Sequence, residues 1–162
     1  VYEYAFITGN ACICDRAEVR GHAHLYGNAY VSGRAIVQFS RLNTDLRKDI
    51  KASLRCQCNL MLDDGKVIAY KIVNKNLSSL YDENFIYKVG ETAICENPRE
   101  DDSSCSEGLH FSYLTYWDNR CDESLEDLVY LKAEINLEDI ITVQEGKLRC
   151  RRAKILSKHE IL

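Results

Sequence analysis

The chain holds 162 residues, 46% hydrophobic and 28% charged, with a formal net charge of −4. That length supports one or two small domains, and the composition is that of a globular chain, not of a disordered polyelectrolyte. No apolar run approaches the roughly 20 residues a membrane helix needs, so no membrane partner is expected. From the first residues, six hexapeptides follow one another. Alanine recurs at Ala5, Ala11, Ala17, Ala23, Ala29 and Ala35, and a branched aliphatic stands two places after each, at Ile7, Ile13, Val19, Leu25, Val31 and Val37. Gly9, Gly21, Gly27 and Gly33 precede four of these alanines by two places, and Asp15 holds that place in another unit. A short fixed period predicts units that bury their apolar positions only against their neighbours.

An alanine and an aliphatic two apart face the same side of an extended segment, and the residue between them belongs to the other side. Ile7 to Ala11, Ile13 to Ala17 and Val19 to Ala23 each place an aliphatic four residues before a small one. On this pattern residues 2–37 resemble the hexapeptide-repeat family. The resemblance implies a short left-handed parallel β-helix over residues 1–40, with three hexapeptides per coil. It also implies a homo-oligomer, commonly a trimer. Two coils at a spacing of about 4.8 Å make a stack about 10 Å tall, too small a core to offset its own ordering entropy. Sister chains are therefore expected against the prism faces, or further coils ahead of Val1, which starts inside a repeat. His22 and His24 are similar to the catalytic histidine of hexapeptide acyltransferases, but that chemistry needs a cofactor groove between long coils.

Beyond Gln38 the rhythm stops. Leu42, Leu46, Ile50 and Leu54 are four apart among charged residues, which predicts a connecting helix over 41–55 within a linker of residues 41–65. Asp63-Asp64-Gly65 is a turn signal. The expected C-terminal domain, residues 66–162, is α+β. Its predicted strands are 67–73, 84–90, 109–111, 128–135 and 140–143, closed by the alternating segment 147–156. Residues 97–106, with the only proline, predict a solvated loop. The fold class expected is thus mixed: a short left-handed β-helix followed by an α+β domain.

Arg55-Cys56-Gln57, Ala69-Tyr70-Lys71, Tyr87-Lys88-Val89-Gly90 and Cys105-Ser106-Glu107-Gly108-Leu109-His110-Phe111-Ser112 recur in an order that resembles an uncharacterised domain of bacteriophage and prophage repeat proteins. That resemblance covers about residue 54 to the end. It implies a viral product acting in the host bacterial cytoplasm or on the virion, and brings no chemistry with it. The succession of Ala69-Tyr70-Lys71, Gly108-Leu109-His110-Phe111 and Tyr130 to Ile135 loosely resembles ADP-ribosyltransferases. Those enzymes hold a nicotinamide dinucleotide between a first-strand His or Arg beside glycine and a late glutamate. Here the first strand offers Tyr70-Lys71 without glycine, and Glu134 is the only acid at a plausible place.

Eight cysteines carry no C-x-x-C spacing, so reduced thiols are expected rather than a zinc site built from Cys56, Cys58, Cys95, Cys105 and His110. His110 itself reads as a structural histidine between Leu109 and Phe111. Residues 91–139 hold fourteen acids against three bases, and residues 147–158 hold six bases and no acid. The two segments either neutralise each other or leave an anionic surface. No basic stripe interleaved with aromatics points to nucleic acid, and no Ser-His-Asp set, P-loop or diagnostic carboxylate pair appears. The function expected is a non-enzymatic protein-binding module, free of cofactor and metal, that engages a host protein such as a defence enzyme. Its contact residues are Glu100, Asp101 and Asp102 beside Ser103-Ser104, with Tyr113, Tyr116 and Trp117 as anchors. Those aromatics read equally as domain core. The alternatives are an ADP-ribosyltransferase-like or nucleotide-binding domain, and a structural virion component.

Overall fold

A computed structural model describes residues 1–103, 105–118 and 127–160. Each repeat contributes a two-residue strand: β1 (Phe6–Ile7), β2 (Cys12–Ile13), β3 (Glu18–Val19), β4 (His24–Leu25), β5 (Tyr30–Val31) and β6 (Ile36–Val37), with β7 (Arg41–Leu42) after them. Each pairs in parallel with the strand three repeats on, giving the small sheets β1-β4-β7, β2-β5 and β3-β6. The corner residues Glu3, Gly9, Asp15, Gly21, Gly27 and Gly33 all have positive φ. Where the corner is acidic its carboxylate replaces a missing neighbour: Asp15 accepts the Gly33 N–H at 3.1 Å, and Glu3 accepts that of Gly21 at 2.6 Å. Val19, Ala23, Leu25, Ala29, Val31, Ala35, Val37, Leu42 and Leu46 form one buried cluster inside.

The expected class is corrected. The molecule is mostly β, with 40% strand and 11% helix in several small sheets, and the described residues form neither a closed nor a solenoid β-helix. Two-residue strands in sheets of two or three leave no continuous sheet, and the C-terminal half is too poor in helix to be α+β. The connecting helix is also corrected, from 41–55 to α1 (Ile50–Cys58). Leu42 and Leu46 belong to the repeat core instead, with Leu42 paired beside Leu25, so the four-residue spacing ran across two environments. Asp49 caps α1 by accepting the Ala52 N–H at 2.9 Å, and Asn59 ends it in the left-handed conformation, φ 51°. The helix is wedged between two cores: Ala52 and Cys56 face the repeats, Leu54 and Cys58 the other half. Gln57, fully buried, ties both sides, accepting the Ile36 N–H at 3.1 Å and donating to the Val143 carbonyl at 2.9 Å.

The rest of the chain contributes β8 (Lys66–Asn74), β9 (Thr92–Ile94), β10 (Leu109–Phe111), β11 (Leu128–Asn136), β12 (Ile140–Gln144), β13 (Lys147–Cys150) and β14 (Arg152–Glu160). They form two antiparallel sheets, β8-β11-β14-β9 and β10-β13-β12, that share one core. Alternation sets the inward faces: Val67, Ala69 and Val73 on β8, and Val129, Leu131, Ala133 and Ile135 on β11, meet Leu109, Phe111, Leu148 and Cys150. Tyr70 and Ser112 exchange backbone hydrogen bonds of 2.7 and 2.8 Å, stitching the sheets together. The strand expected at 84–90 is instead a loop with a single bridge from Ser78 to Ile86, and the expected closing strand breaks in two at Arg151.

Candidate functional site

On β8 the inward positions read Val67, Ala69, Lys71, Val73, so one place in an apolar row is taken by an ammonium group. Lys71 is 4% exposed. Its Nζ reaches one backbone acceptor, the His110 carbonyl at 3.4 Å, and lies 5.7 Å from the Tyr87 ring and 5.8 Å from the Trp117 ring. Among the described residues no carboxylate pairs with it. Burial, with the neighbouring Lys147 charge acting in the same direction, pushes this amine down to about 8 from its ordinary value.

Lys71 lines a cleft of about 520 Å³ whose surface is mostly apolar. One wall is the loop after β8, with Phe85 and Tyr87 in edge contact at 5.0 Å. The opposite wall is the segment from Cys105 to His110, and Trp117 closes one side. A second cation, Lys147, opens on the same space. It lies 3.0 Å from the Cys105 sulfur and 3.5 Å from the Glu145 carboxylate, and is itself buried. Asp82 and Glu107 line the cleft too, but both are exposed. The interior is therefore cationic and aromatic, and the mouth is acidic. Its size falls in the ordinary range for small-molecule sites.

The Gly108 element shapes this wall. Gly108 has φ 148°, and a Cβ there would lie 2.6 Å from the Arg149 Cγ, so only glycine lets the arginine pass behind the strand. Arg149 is 1% exposed and holds the loop before the cleft: its guanidinium donates to the Ser103 carbonyl at 3.0 Å, to the Ser103 hydroxyl at 3.1 Å, and to the carbonyl and carboxylate of Asp101.

The residues expected to bind a partner take other roles. Tyr116 and Trp117 are each 6% exposed and pack with Ile72, Leu128 and Tyr130. Their polar atoms point inward, Tyr116 to the Glu145 carbonyl at 2.9 Å and Trp117 to the Tyr70 carbonyl at 3.0 Å. Tyr113 is half-buried at the seam with the repeats, against Phe39 and within 3.3 Å of the Gln38 amide nitrogen. These rings are core, not exposed anchors: each contributes a large apolar area that the small sheets need. Glu100 and Asp101 are not a free anionic surface either. Glu100 pairs with Arg151 at 2.9 Å and Asp101 with Arg149 and Arg99, while Asp102 has no ion pair among the described residues. Arg152 pairs with Asp139 in the same way, so three of the six bases of the basic segment meet acids of the acidic one. Ser104, and the part of the acidic segment from 119 to 126, lie outside the described residues.

Glu134 stands on β11 opposite Ile68 and pairs with Lys66 at 3.1 Å; it does not line the Lys71 cleft. Cys95, Cys105 and His110 line that cleft, whereas Cys56 and Cys58 lie on α1. The seven described cysteines are free thiols, and among the described residues no group of three His, Cys, Asp or Glu side chains is gathered about a point that could hold a metal ion. Nor, among them, is any helix long and apolar enough to cross a membrane. Sequence reasoning passed over Lys71 as a site residue, although the alternation of Val67, Ala69 and Val73 marks its position as inward. A charge at a predicted core position was the available sign.

No family model, no curated protein and no solved structure matches this chain. What the cleft does is read from its own chemistry.

Proposed function

We propose that this protein is a non-enzymatic binding module whose ligand is a small anion with a planar, apolar body. One observation carries the reading: a buried lysine with no carboxylate partner among the described residues, set among aromatic rings in a cleft of small-molecule size. A buried ammonium costs stability unless it is paired, and an anionic ligand supplies the missing partner. Tyr87, Phe85 and Trp117 give the flat walls against which a ring stacks. The acidic mouth favours a ligand whose anionic end enters first. The setting we propose is the bacterial host cytoplasm that the bacteriophage resemblance implies.

Trp117 is the only tryptophan of the chain and lines the cleft, so its fluorescence reports occupancy. Phenyl phosphate and benzoate should quench it saturably, about tenfold more tightly than benzyl alcohol, which is one charge-assisted contact. Lys71→Met and Lys147→Met should each weaken that preference, since both cations line the cleft. Equal, non-saturating responses to all three compounds, in wild type and variant alike, would overturn the reading.

A second reading concerns the repeats, and its partner is another copy of this chain. β1 and β2 are edge strands with no strand paired on their outer side among the described residues, whereas on β3 the Val19 carbonyl accepts the Tyr2 N–H at 3.1 Å. Ile7 and Ile13 are only half-buried, while Leu25 and Val31 at the same place three repeats on are fully buried. Tyr4 and Phe6 are exposed beside them; Tyr4 stacks on His22, and Phe6 meets His24 at a tilt of 56°. Exposed strand edges beside half-buried aliphatics favour pairing with a further strand, which a second copy of this chain supplies. Sedimentation equilibrium at micromolar concentration should show an oligomer that Ile13→Lys dissociates; a wild-type monomer would overturn this.

A further inference from the structure

We infer that Lys71 captures its ligand covalently, as an imine with an aldehyde or ketone that also carries an acidic group. This deepens the binding reading above and rests on it. Nucleophilic attack needs an uncharged amine that is reachable, undisturbed by strong hydrogen bonds and close to where a carbonyl group can sit. Lys71 meets these conditions by position: it lines the cleft, makes one long hydrogen bond of 3.4 Å, and has no carboxylate to hold it protonated. A desolvated lysine beside another cation is the arrangement that yields a neutral, nucleophilic amine near neutral pH, and burial does lower its affinity for a proton. The titratable groups around it are Tyr87, Cys95, Cys105, His110, Lys147 and Cys150. Burial pushes the Tyr87 hydroxyl and the Cys150 thiol well up, so neither supplies an anion that would restore the Lys71 charge.

Lys147 divides the work. Its ammonium opens on the same cleft and, among the described residues, meets Glu145 at 3.5 Å and the Cys105 sulfur at 3.0 Å. A carboxylate or phosphate on the ligand pairs with Lys147 while the carbonyl carbon faces Lys71. The amine lone pair attacks that carbon, the C=O π pair moves to oxygen, and a proton passes from nitrogen to oxygen to give a carbinolamine. Loss of water then leaves a C=N bond. Amine and carbonyl give imine and water, with no net oxidation or reduction, and hydrolysis reverses the step. A keto or aldehyde acid with an aromatic ring is the ligand class that satisfies all three parts of the site.

The experiment uses the whole chain with 4-formylbenzoate, trapped by cyanoborohydride and mapped by peptide mass spectrometry. One adduct per chain is expected at Lys71, at least tenfold above the surface residues Lys75 and Lys88 at pH 7. Labelling at Lys71 should rise through pH 8. Benzaldehyde should label Lys71 about tenfold less, and Lys147→Met should erase that difference. Lys71→Arg should abolish the adduct while keeping the quenching of Trp117 by benzoate. Labelling spread evenly over surface lysines, with benzoate quenching intact, overturns the imine and leaves the binding reading standing. Neither labelling at Lys71 nor quenching overturns both.

Discussion

Two buried cations, Arg149 on β13 and Lys71 on β8, solve the problem of burial differently. Arg149, on β13, is enclosed by a loop folded back to meet it: two carbonyls, a hydroxyl and the Asp101 carboxylate receive its protons. Lys71, on β8, is enclosed as tightly but has one distant carbonyl and two ring faces. In the first region the charge organises the backbone around itself and its purpose is structural. In the second the protein leaves the charge unanswered, which raises the energy of the free protein and leaves the amine available. A folded chain tolerates such a group where a ligand completes it.

The largest effect expected is at Arg149. Replacing it with alanine leaves the Ser103 and Asp101 carbonyls without their donor, removes one partner of the half-exposed Asp101 carboxylate and empties the space of a buried side chain, which should cost about 2–4 kcal/mol. Urea denaturation should show it as a lower midpoint with an unchanged slope. A loss under 1 kcal/mol would mean that Arg149 is no better partnered than Lys71, and the contrast between the regions would fail.

Lys71→Met should move the other way, stabilising the protein by about 2–3 kcal/mol at pH 7, because it removes the penalty of a proton held against desolvation. The pH dependence fixes the cause. The folded-state amine titrates at about 8 against an ordinary 10.5, so between these values the unfolded chain binds more protons than the folded one. Wild-type stability should therefore rise with pH through that window relative to Lys71→Met. Below pH 8 the full penalty is present; above 10.5 it is gone. A variant whose advantage is independent of pH would assign the gain to packing instead.

Gly108→Ala couples the regions and should cost about 1–2 kcal/mol, part from the positive φ and part from contact with the Arg149 stem. The second part should vanish in an Arg149→Ala background, where the obstructing Cγ is gone. The coupling in a double-mutant cycle measures it. Strict additivity would place all the cost in the backbone.

What could be read in advance differs between the halves for the same physical reason. The repeat places its inward residues by local period alone, so Ala23, Leu25 and Val31 were legible as core, and Asp15 as a corner. The same periodicity said nothing of how few residues each strand holds, and the β-helix class expected from it is not what forms. In the C-terminal half, β8 and β11 were legible from alternation, but the partners of each charge lie far along the chain. Arg149 meets Asp101, and Arg151 meets Glu100, through sheet topology that no local pattern encodes. The aromatics at 113–117 were misplaced similarly. Their adjacency in sequence to an acidic loop suggested a surface, whereas β8 and the seam with the repeats bury two of them and half-bury the third.

The smallest effect sharpens the contrast within the acidic loop itself. Glu100 and Asp101 are neighbours, each paired with an arginine, yet only Asp101 meets a buried one. The Arg151–Glu100 pair has side chains 45% and 63% exposed, so water screens it and long side chains must be held still to keep it. Such pairs are worth about 0–0.5 kcal/mol. Glu100→Gln should therefore leave the urea midpoint unchanged within error at 0.15 M salt, while Asp101→Asn lowers it measurably. The Ser103 hydroxyl and N–H, helped by Arg99, hold the Asp101 carboxyl down to about 2, so the difference between the variants should persist from pH 7 to pH 4 and close only as the solution approaches that value. Equal losses from both variants would show that the loop is held by its total charge. Unequal losses would assign the hold to the geometry at Asp101, whose carboxylate meets Ser103, Arg99 and Arg149 together, a set of partners that the cleft around Lys71 lacks.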